Sequence, residues 1–264
     1  MRIALCQLTA STDPKENLAA VQDHVRRAAD VGARLAVLPE ASMVQFGVAL
    51  GQVAEPLDGP WAEGVRSVSR ETGVTVVVGM FTPAPGGRVA NTLLATGPGV
   101  EASYDKIHLY DAFGFKESDT VAAGSQVVTI DVGGVRVGLA TCYDLRFPEL
   151  FRAHADAGAT VSVLPASWGA GPGKLAQWDL LVRARALDAT VWLAAVGQAA
   201  PDPSADPEVP TRIPTGVGHS ALIGPDGTVR ARLGGEPGLL AADVDVEETA
   251  RVRRAVAVLD NRRL

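Results

Sequence analysis

Short apolar runs typical of β-strands alternate with helix-like segments along this chain of 264 residues. The runs at residues 2–8, 35–38 and 74–79 predict strands, and the last is almost purely β-branched, as in a strand buried on both faces. An amphipathic segment capped by Thr12 or Asp13 predicts a helix that ends before Gly32. A second helix is predicted for residues 60–72, with Gly73 as its stop. This alternation restricts the chain to an α/β arrangement of packed layers.

The rest of the chain continues the alternation and adds hairpins. Paired strands are predicted for residues 88–95 with 100–105, 127–130 with 135–141, and 218–223 with 228–233. Helices are predicted over 148–157, 175–188 and 246–254, and strands over 160–164, 191–196 and 239–244. The proline-rich segment 200–215 predicts a surface loop that is too short to separate domains. We therefore expect one α/β domain over residues 1–264, with mixed sheets flanked by helices.

Three ionisable residues follow predicted strands at the point where each strand ends. Glu40 ends the run 35–39, Lys106 follows 102–105, and Cys142 follows the apolar run 135–140. Because sites in open α/β sheets lie off the carboxyl ends of strands, we expect these side chains to meet. Taken singly, each has a simpler explanation: a buried core cysteine, a solvated acid and a surface lysine. Their joint placement is what favours a functional site.

A thiol, a carboxylate and an amine together can perform covalent hydrolysis. Glu40 would act as a general base toward Cys142 and later toward water. Lys106 would lower the pKa of the thiol and stabilise an oxyanion, helped by the backbone N–H of Tyr143. The other cysteine, Cys6, lies in the first apolar run and is predicted to be a core residue.

The composition of the chain limits the binding partners and the cellular compartment that we expect. The net charge is −6, from 24 Lys and Arg against 30 Asp and Glu, and no basic block is interleaved with aromatic residues. Nucleic acid is therefore not expected as a partner. No apolar stretch approaches the roughly 20 residues that span a bilayer, and residues 1–8 enter a strand-like pattern without a charged region followed by a long apolar one, so we expect no signal peptide. Two cysteines do not make a disulfide framework, so we expect a cytoplasmic protein with reduced thiols and no membrane partner.

Three segments resemble the catalytic motifs of the nitrilase (carbon–nitrogen hydrolase) superfamily, in the order that family shows. They are Leu38-Pro-Glu40, Tyr104-Asp-Lys-Ile-His-Leu109 and Cys142-Tyr-Asp-Leu-Arg-Phe-Pro-Glu-Leu150. The resemblance continues through Gly218-His-Ser220 and Pro225-Asp-Gly227, and so covers nearly the whole chain. It implies an αββα sandwich that associates into homodimers or larger homo-oligomers.

The resemblance also implies roles for particular residues. Cys142 would be the nucleophile, Glu40 the general base and Lys106 the oxyanion stabiliser. A second glutamate, which orients the substrate amide, would match Glu117 in Phe115-Lys-Glu-Ser118; a loop acid beside Lys116 is the alternative. No metal and no organic cofactor is implied, and the sequence shows no ligand spacing for zinc.

The nucleophile segment is similar to the branch that contains ω-amidases and deaminated glutathione amidases. Members that cleave nitriles usually have Cys-Trp-Glu, whereas this chain has Cys142-Tyr-Asp144. The resemblance implies hydrolysis of a small linear amide that carries a carboxylate. Hydrolysis of an N-carbamoyl compound or a nitrile by the same three residues is an enzymatic alternative, and an α/β binding module is the non-enzymatic one.

Candidate substrate contacts lie near the nucleophile and in one glycine-rich segment. Residues 167–177 depart from the pattern of that branch, and Trp168 and Lys174 within them are candidates, although Lys174 could equally be exposed. Arg146 could bind a carboxylate bidentately or could hold Asp144 or Glu149. Tyr143 is the fourth candidate. His108 and His219 are expected to be structural.

Overall fold

The structure, a computed structural model, describes residues 1–112, 114–202, 204–209, 211 and 213–263. Pro203 and Pro210, which contributed to the prediction of a proline-rich loop, lie outside the described residues, as does the last residue of the expected domain. The strands in chain order are β1 (Arg2–Gln7), β2 (Leu35–Val37), β3 (Thr75–Pro83), β4 (Val89–Gly97), β5 (Val100–Asp105), β6 (Asp111–Ala112), β7 (Phe115–Lys116), β8 (Val121–Ala122), β9 (Thr129–Val132), β10 (Val135–Leu139), β11 (Val161–Ala166), β12 (Trp192–Gly197), β13 (Ala221–Ile223), β14 (Val229–Arg232) and β15 (Gly238–Asp243). The helices are α1 (Pro14–Asp30), α2 (Leu50–Val53), α3 (Pro60–Thr72), α4 (Pro148–Asp156), α5 (Lys174–Ala189) and α6 (Val246–Val256).

The larger strands form two mixed sheets. The first has the order β15-β1-β2-β3-β4-β5, with β8 beside β4, and the second has the order β14-β13-β12-β11-β10-β9. β1, β2 and β3 run parallel. β4 is antiparallel to β3 and β5 and parallel to the short β8, and β15 is antiparallel to β1. In the second sheet β10, β11 and β12 are parallel and the outer strands antiparallel. The prediction of mixed sheets is confirmed.

Alternation along the first sheet separates its two faces. In β1, Ile3 and Leu5 join the core between the sheets, whereas Ala4 and Cys6 face a second core formed with α1 and α3. Side chains of a strand point to opposite faces in turn, so a strand that is apolar throughout must be covered on both sides. Cys6 is fully buried, which confirms its prediction as a core residue.

Helices cover the outer faces and complete the αββα sandwich. α1 and α3 pack Val21, Val25, Val65 and Val68 on the first sheet. α4 and α5 pack Phe151, Trp178 and Val182 on the second. Among the described residues, no helix combines the length and apolar character needed to cross a membrane.

Local signals at the helix ends explain where the helices start and stop. The Asp13 side chain accepts the N–H of Lys15 at 2.8 Å, so Asp13 rather than Thr12 caps α1. α3 begins at Pro60 and ends at Gly73, which has a φ of +71°. The short elements α2, β6, β7 and β8 were not predicted, because two to four residues are too few to show a periodic pattern.

Candidate active site

The turn that follows β2 brings Glu40 over the neighbouring strand β3. A Cβ on Gly79 of β3 would lie 2.8 Å from the Cα of Glu40, so only glycine leaves room for this turn. Gln198, which follows β12 of the second sheet, donates its side-chain amide to the Glu40 carbonyl at 3.0 Å. The carboxylate is therefore held from both sheets, and it is buried.

Cys142 begins a short 3₁₀-helix, Cys142–Arg146, directly after β10. Its φ is +45°, in the left-handed region that residues other than glycine rarely adopt. Such strain persists only where the surrounding structure enforces it, and it is frequent at functional sites. Cys142 is 9% exposed, and its thiol lies beside the Glu40 carboxylate and the Ser167 N–H.

Lys106 follows β5 and joins Glu40 to Glu117. Its ammonium lies 3.1 Å from Glu40 Oε1 and 2.9 Å from Glu117 Oε2, with all three side chains buried. Burial would lower the pKa of Lys106, but the two carboxylates outweigh it and hold that pKa well above its ordinary value. Lys106 is therefore a fixed cation beside the thiol.

Glu117 is buried in this cluster and is not an exposed loop acid. It lies in a 3₁₀ turn, and its Oε2 accepts the N–H of Tyr110 at 2.6 Å in addition to the Lys106 ammonium. The neighbouring Lys116 points away and pairs with Asp119 at 3.2 Å. The structure thus brings together all four residues that the sequence suggested as catalytic.

Burial raises the pKa of the Cys142 thiol well above its ordinary value, and the charge of Glu40 raises it further. Lys106 acts in the opposite direction but does not prevail. The expectation that Lys106 lowers the pKa of this thiol is confirmed for the contribution of Lys106 itself, but burial and Glu40 outweigh it. Because the resting nucleophile is a protonated thiol, it needs a base, and Glu40 is the group in position.

Asp144 ties the lysine segment to the cysteine segment. Its Oδ2 accepts the Tyr104 hydroxyl at 2.6 Å and the Thr141 N–H at 2.8 Å. Its Oδ1 accepts the N–H of His108 at 3.0 Å and contacts the His108 ring Nδ1 at 2.7 Å. His108 also stacks on Phe147 with ring centroids 3.7 Å apart, which agrees with a structural histidine. His219 lies outside the cavity lining, and its backbone carbonyl accepts the indole N–H of Trp178.

Arg146 lies between two aromatic rings on the wall of the cavity. Its guanidinium carbon is 5.1 Å from the Trp168 ring centroid and 5.8 Å from that of Tyr143, as in a cation–π contact. It donates to Gln177 Oε1 at 2.7 Å, and its Nε is buried without a hydrogen-bond partner. Within the described residues Arg146 pairs with neither Asp144 nor Glu149, so that alternative is wrong.

Lys174 is half-buried at the first position of α5 and faces the same cavity. Its ammonium lies 3.0 Å from the Tyr110 hydroxyl, and its backbone carbonyl accepts the indole N–H of Trp168. Burial lowers the pKa of Lys174, and the charge of Arg146 lowers it further. The alternative of a fully exposed Lys174 is wrong.

A cavity of about 430 Å³ contains these groups, a size ordinary for a small-molecule site. Its remaining wall is mostly apolar and is lined by Phe46, Tyr110, Phe115, Ala170, Pro172 and Pro214 among others. The proline-rich segment reaches this wall, since Thr211 and Pro214 line it and Ser167 Oγ donates to the Pro214 carbonyl at 2.6 Å. In the same segment, the Pro207 carbonyl accepts the backbone N–H of Gly171. The predicted surface loop therefore shapes the site.

Sequence reasoning missed three residues of the site. Asn91 contacts both buried carboxylates, the Ser167 N–H donates to Glu40 Oε2 at 2.8 Å, and Tyr110 contacts Lys174. Asn91 lies within the apolar strand β4, where a polar residue between Ala90 and Leu93 was the available signal. Among the described residues, no group of three or more His, Cys, Asp or Glu side chains is placed to hold a metal ion.

Comparison with known proteins agrees with this geometry. The carbon–nitrogen hydrolase family model matches residues 2–254. The chain is 53% identical to the hydrolase Rv0480c of Mycobacterium tuberculosis H37Rv over 99% of this chain and 95% of that protein. It is 35% identical to the deaminated glutathione amidase of Escherichia coli O157:H7, covering 100% and 97%, and 31% identical to human ω-amidase NIT2, covering 99% and 95%.

A solved structure shows the same architecture. The crystal structure of Saccharomyces cerevisiae Nit3, a member of branch 10 of the nitrilase superfamily, superposes with a TM-score of 0.84 at 26% sequence identity. The superposition covers 100% of this chain and 97% of that one.

Proposed function

This chain belongs to the carbon–nitrogen hydrolase family, and we propose that it hydrolyses a small linear amide that carries a carboxylate, with release of ammonia through a thioester on Cys142. The arrangement of charged groups around Cys142 supports this proposal most directly. A protonated thiol lies against Glu40 and a fixed ammonium, in a cavity whose wall carries Arg146 and Lys174.

Glu40 moves the protons in the acylation half of the reaction. It accepts the proton of the Cys142 thiol as sulfur attacks the amide carbonyl, and the carbonyl oxygen becomes an oxyanion. Glu40 then donates that proton to the amide nitrogen. The C–N bond breaks, ammonia leaves, and the acyl group remains on sulfur as a thioester.

The deacylation half repeats these transfers with water. Glu40 accepts a proton from water as the water oxygen attacks the thioester carbonyl. The C–S bond breaks, the carboxylic acid is released, and the sulfur regains the proton from Glu40. One carboxylate can serve both halves because it donates its proton at the end of each half and is then charged again.

Lys106 and the Tyr143 N–H would stabilise the oxyanion in both halves. The raised pKa of Lys106 keeps it charged through the working range of pH, so it offers a permanent positive charge. The backbone N–H of Tyr143 lies in the first turn of the 3₁₀-helix, where N–H groups have no partner within the helix. Glu117 also contacts the Lys106 ammonium and would orient the amide.

Arg146 and Lys174 would bind the substrate carboxylate. Arg146 is held by Trp168, Tyr143 and Gln177, which leaves its position fixed before substrate arrives. Lys174 adds a second cation on the same cavity wall. Two cations in a largely apolar cavity favour an anionic substrate, since a charge there is poorly screened by water.

Ammonia release across a panel of compounds tests the proposal. The panel holds α-ketoglutaramate, deaminated glutathione and other ω-amides beside neutral amides, N-carbamoyl amino acids and nitriles. We expect the carboxylate-bearing amides to give the highest kcat/KM. Carbon dioxide released together with ammonia would indicate the N-carbamoyl reaction instead, and turnover confined to nitriles would contradict the proposal.

Removing either cation is expected to weaken binding of the carboxylate. For Arg146→Met and Lys174→Met we expect KM for a carboxylate-bearing amide to rise roughly 10- to 100-fold, the value of a lost charge-assisted hydrogen bond. A neutral amide of similar length should be much less affected. Lys116→Met is the matched control, because Lys116 is exposed and pairs with Asp119. Equal effects on charged and neutral amides would rule out carboxylate recognition by these residues.

A further inference from the structure

Asn91 lies on β4 between the two buried carboxylates of the site. Its Nδ2 donates to Glu40 Oε1 at 2.8 Å and to Glu117 Oε1 at 3.2 Å, and the side chain is fully buried. The Lys106 ammonium contacts the same two oxygens at 3.1 and 3.2 Å. Two donors and two acceptors thus form a closed set of four hydrogen bonds.

We propose that Asn91 is a positioning residue that keeps the Glu40 carboxylate aimed at the Cys142 thiol by bridging it to Glu117. The proposal rests on the function of Glu40 as the base proposed above. Asn91 itself does not touch substrate, since it is absent from the lining of the cavity.

The charges around Glu40 explain why a neutral donor is useful at this position. The ionisable groups that face Glu40 are Lys106, Glu117 and the Cys142 thiol. Two carboxylates and one ammonium leave a net charge of −1, and the carboxylates repel each other. A second cation would offset that repulsion but would add a charge beside the base. An amide N–H₂ stabilises both carboxylates without adding a charge.

The orientation of the amide follows from its neighbours. A flipped Asn91 would place its oxygen against two carboxylate oxygens, so the nitrogen must face them. In this orientation Oδ1 is buried without a hydrogen-bond partner among the described residues. Leaving such an acceptor unsatisfied costs stability, and an apolar side chain of similar size would avoid that cost. The presence of asparagine here therefore favours a role in the site over a role in stability.

The hydrogen bonds also set the direction of the Glu40 carboxylate. Oε1 is occupied by Asn91 and Lys106, while Oε2 accepts the Ser167 N–H at 2.8 Å. Without Asn91, Oε1 retains Lys106 alone, and the carboxylate gains freedom to rotate away from the thiol.

The test measures kcat and KM for Asn91→Leu and for the unaltered protein, together with the rate of Cys142 alkylation by iodoacetamide. Without Asn91 the Glu40 carboxylate loses one of the hydrogen bonds that fix its direction, so kcat should fall by about 10-fold while KM stays within about twofold. The rate of alkylation should fall by a similar factor. Alkylation requires no knowledge of the substrate, so a slower rate there with no amide turned over would contradict the proposed function and still support the role of Asn91.

Ser69→Ala is the control for lost stability alone. Ser69 is a buried residue of α3 whose hydroxyl donates to the Val74 carbonyl and contacts neither carboxylate. We expect Ser69→Ala to lower the melting temperature and to leave kcat and the rate of alkylation within about twofold of the original. A folded Asn91→Leu whose kcat and alkylation rate stay within about twofold of the original would overturn the proposal. If that variant does not fold, Asn91→Ala is measured by the same criteria.

Discussion

Glu40→Gln is expected to reduce ammonia release by roughly 10²- to 10⁴-fold, the usual contribution of a general base. The reason is the protonated state of the nucleophile: burial and the Glu40 charge raise the pKa of Cys142 well above its ordinary value. With glutamine at this position nothing beside the thiol can accept its proton. Turnover then depends on the small fraction of thiolate that solvent allows.

Iodoacetamide labelling followed by intact-mass measurement reports on the same step. In the unaltered protein we expect one label, on Cys142, because Cys6 is fully buried and burial raises its pKa to about 12. In Glu40→Gln the labelling of Cys142 should slow in parallel with turnover. Glutamine also turns its N–H₂ toward an existing donor, since Asn91, Lys106 and the Ser167 N–H all donate to the carboxylate. Circular dichroism is therefore needed to show that the variant is folded.

Glu55→Gln is the matched control for this substitution. The Glu55 carboxylate accepts the N–H of Trp61 at the start of α3 and does not line the cavity. The same change of one atom should there leave both turnover and labelling unaltered. Undiminished turnover in folded Glu40→Gln would show that another group deprotonates the thiol.

The net charge of the buried site explains why Cys142 would transfer its proton to Glu40 during the reaction and not before it. Glu40, Glu117 and Lys106 sum to −1, and a resting thiolate would make the total −2 in a buried site. That state is costly, whereas transfer of the proton from Cys142 to Glu40 leaves the total unchanged. Lys106 then serves the developing oxyanion and not a resting thiolate. A substrate carboxylate adds a further negative charge, which Arg146 and Lys174 are placed to balance on the other wall.

Much of the fold could be predicted because its signals are local. The helix α3 was predicted at its observed bounds, since Pro60 and Gly73 act through their own backbone. The positions of Glu40, Lys106 and Cys142 at strand ends were also visible, because buried strands are continuous apolar runs. Most strand ends shifted by one to three residues, and the end of β3 shifted by four, as expected where pairing partners and not sequence set the last hydrogen bond.

The parts that could not be predicted depend on contacts between distant segments. Asn91 and Glu40 are separated by 51 positions, and nothing near either residue indicates the other. The partner of Arg146 turned out to be Gln177, one of several polar residues on α5. The raised pKa of the Cys142 thiol depends on the burial of the whole cluster. That burial could not be predicted from the charged residues alone. The sequence likewise did not indicate that the proline-rich segment reaches the cavity.

Asp144 joins the lysine segment to the cysteine segment, although in the sequence it indicated only an amide substrate and not a nitrile. All four contacts of its carboxylate are to donors: Tyr104 Oη, Thr141 N, and the N–H and ring nitrogen of His108. In Asp144→Asn one amide nitrogen must face two of these donors, so at least two charge-assisted bonds are lost. We expect a loss of about 3–5 kcal/mol in the free energy of unfolding, and a melting temperature lower by about 10 °C.

Turnover in Asp144→Asn should fall further than stability alone requires, by about 10²-fold even where the variant is folded. The Thr141 N–H that Asp144 holds belongs to the residue just before Cys142, whose left-handed backbone must be enforced by its surroundings. A 1 Å displacement of a nucleophile costs about this factor. Asp226→Asn is the control, because Asp226 makes similar bonds to Thr228 in an exposed hairpin turn and should cost less than about 1 kcal/mol. If Asp144→Asn lost stability but kept full turnover at a temperature where it is folded, the junction would hold the two segments together without placing the thiol.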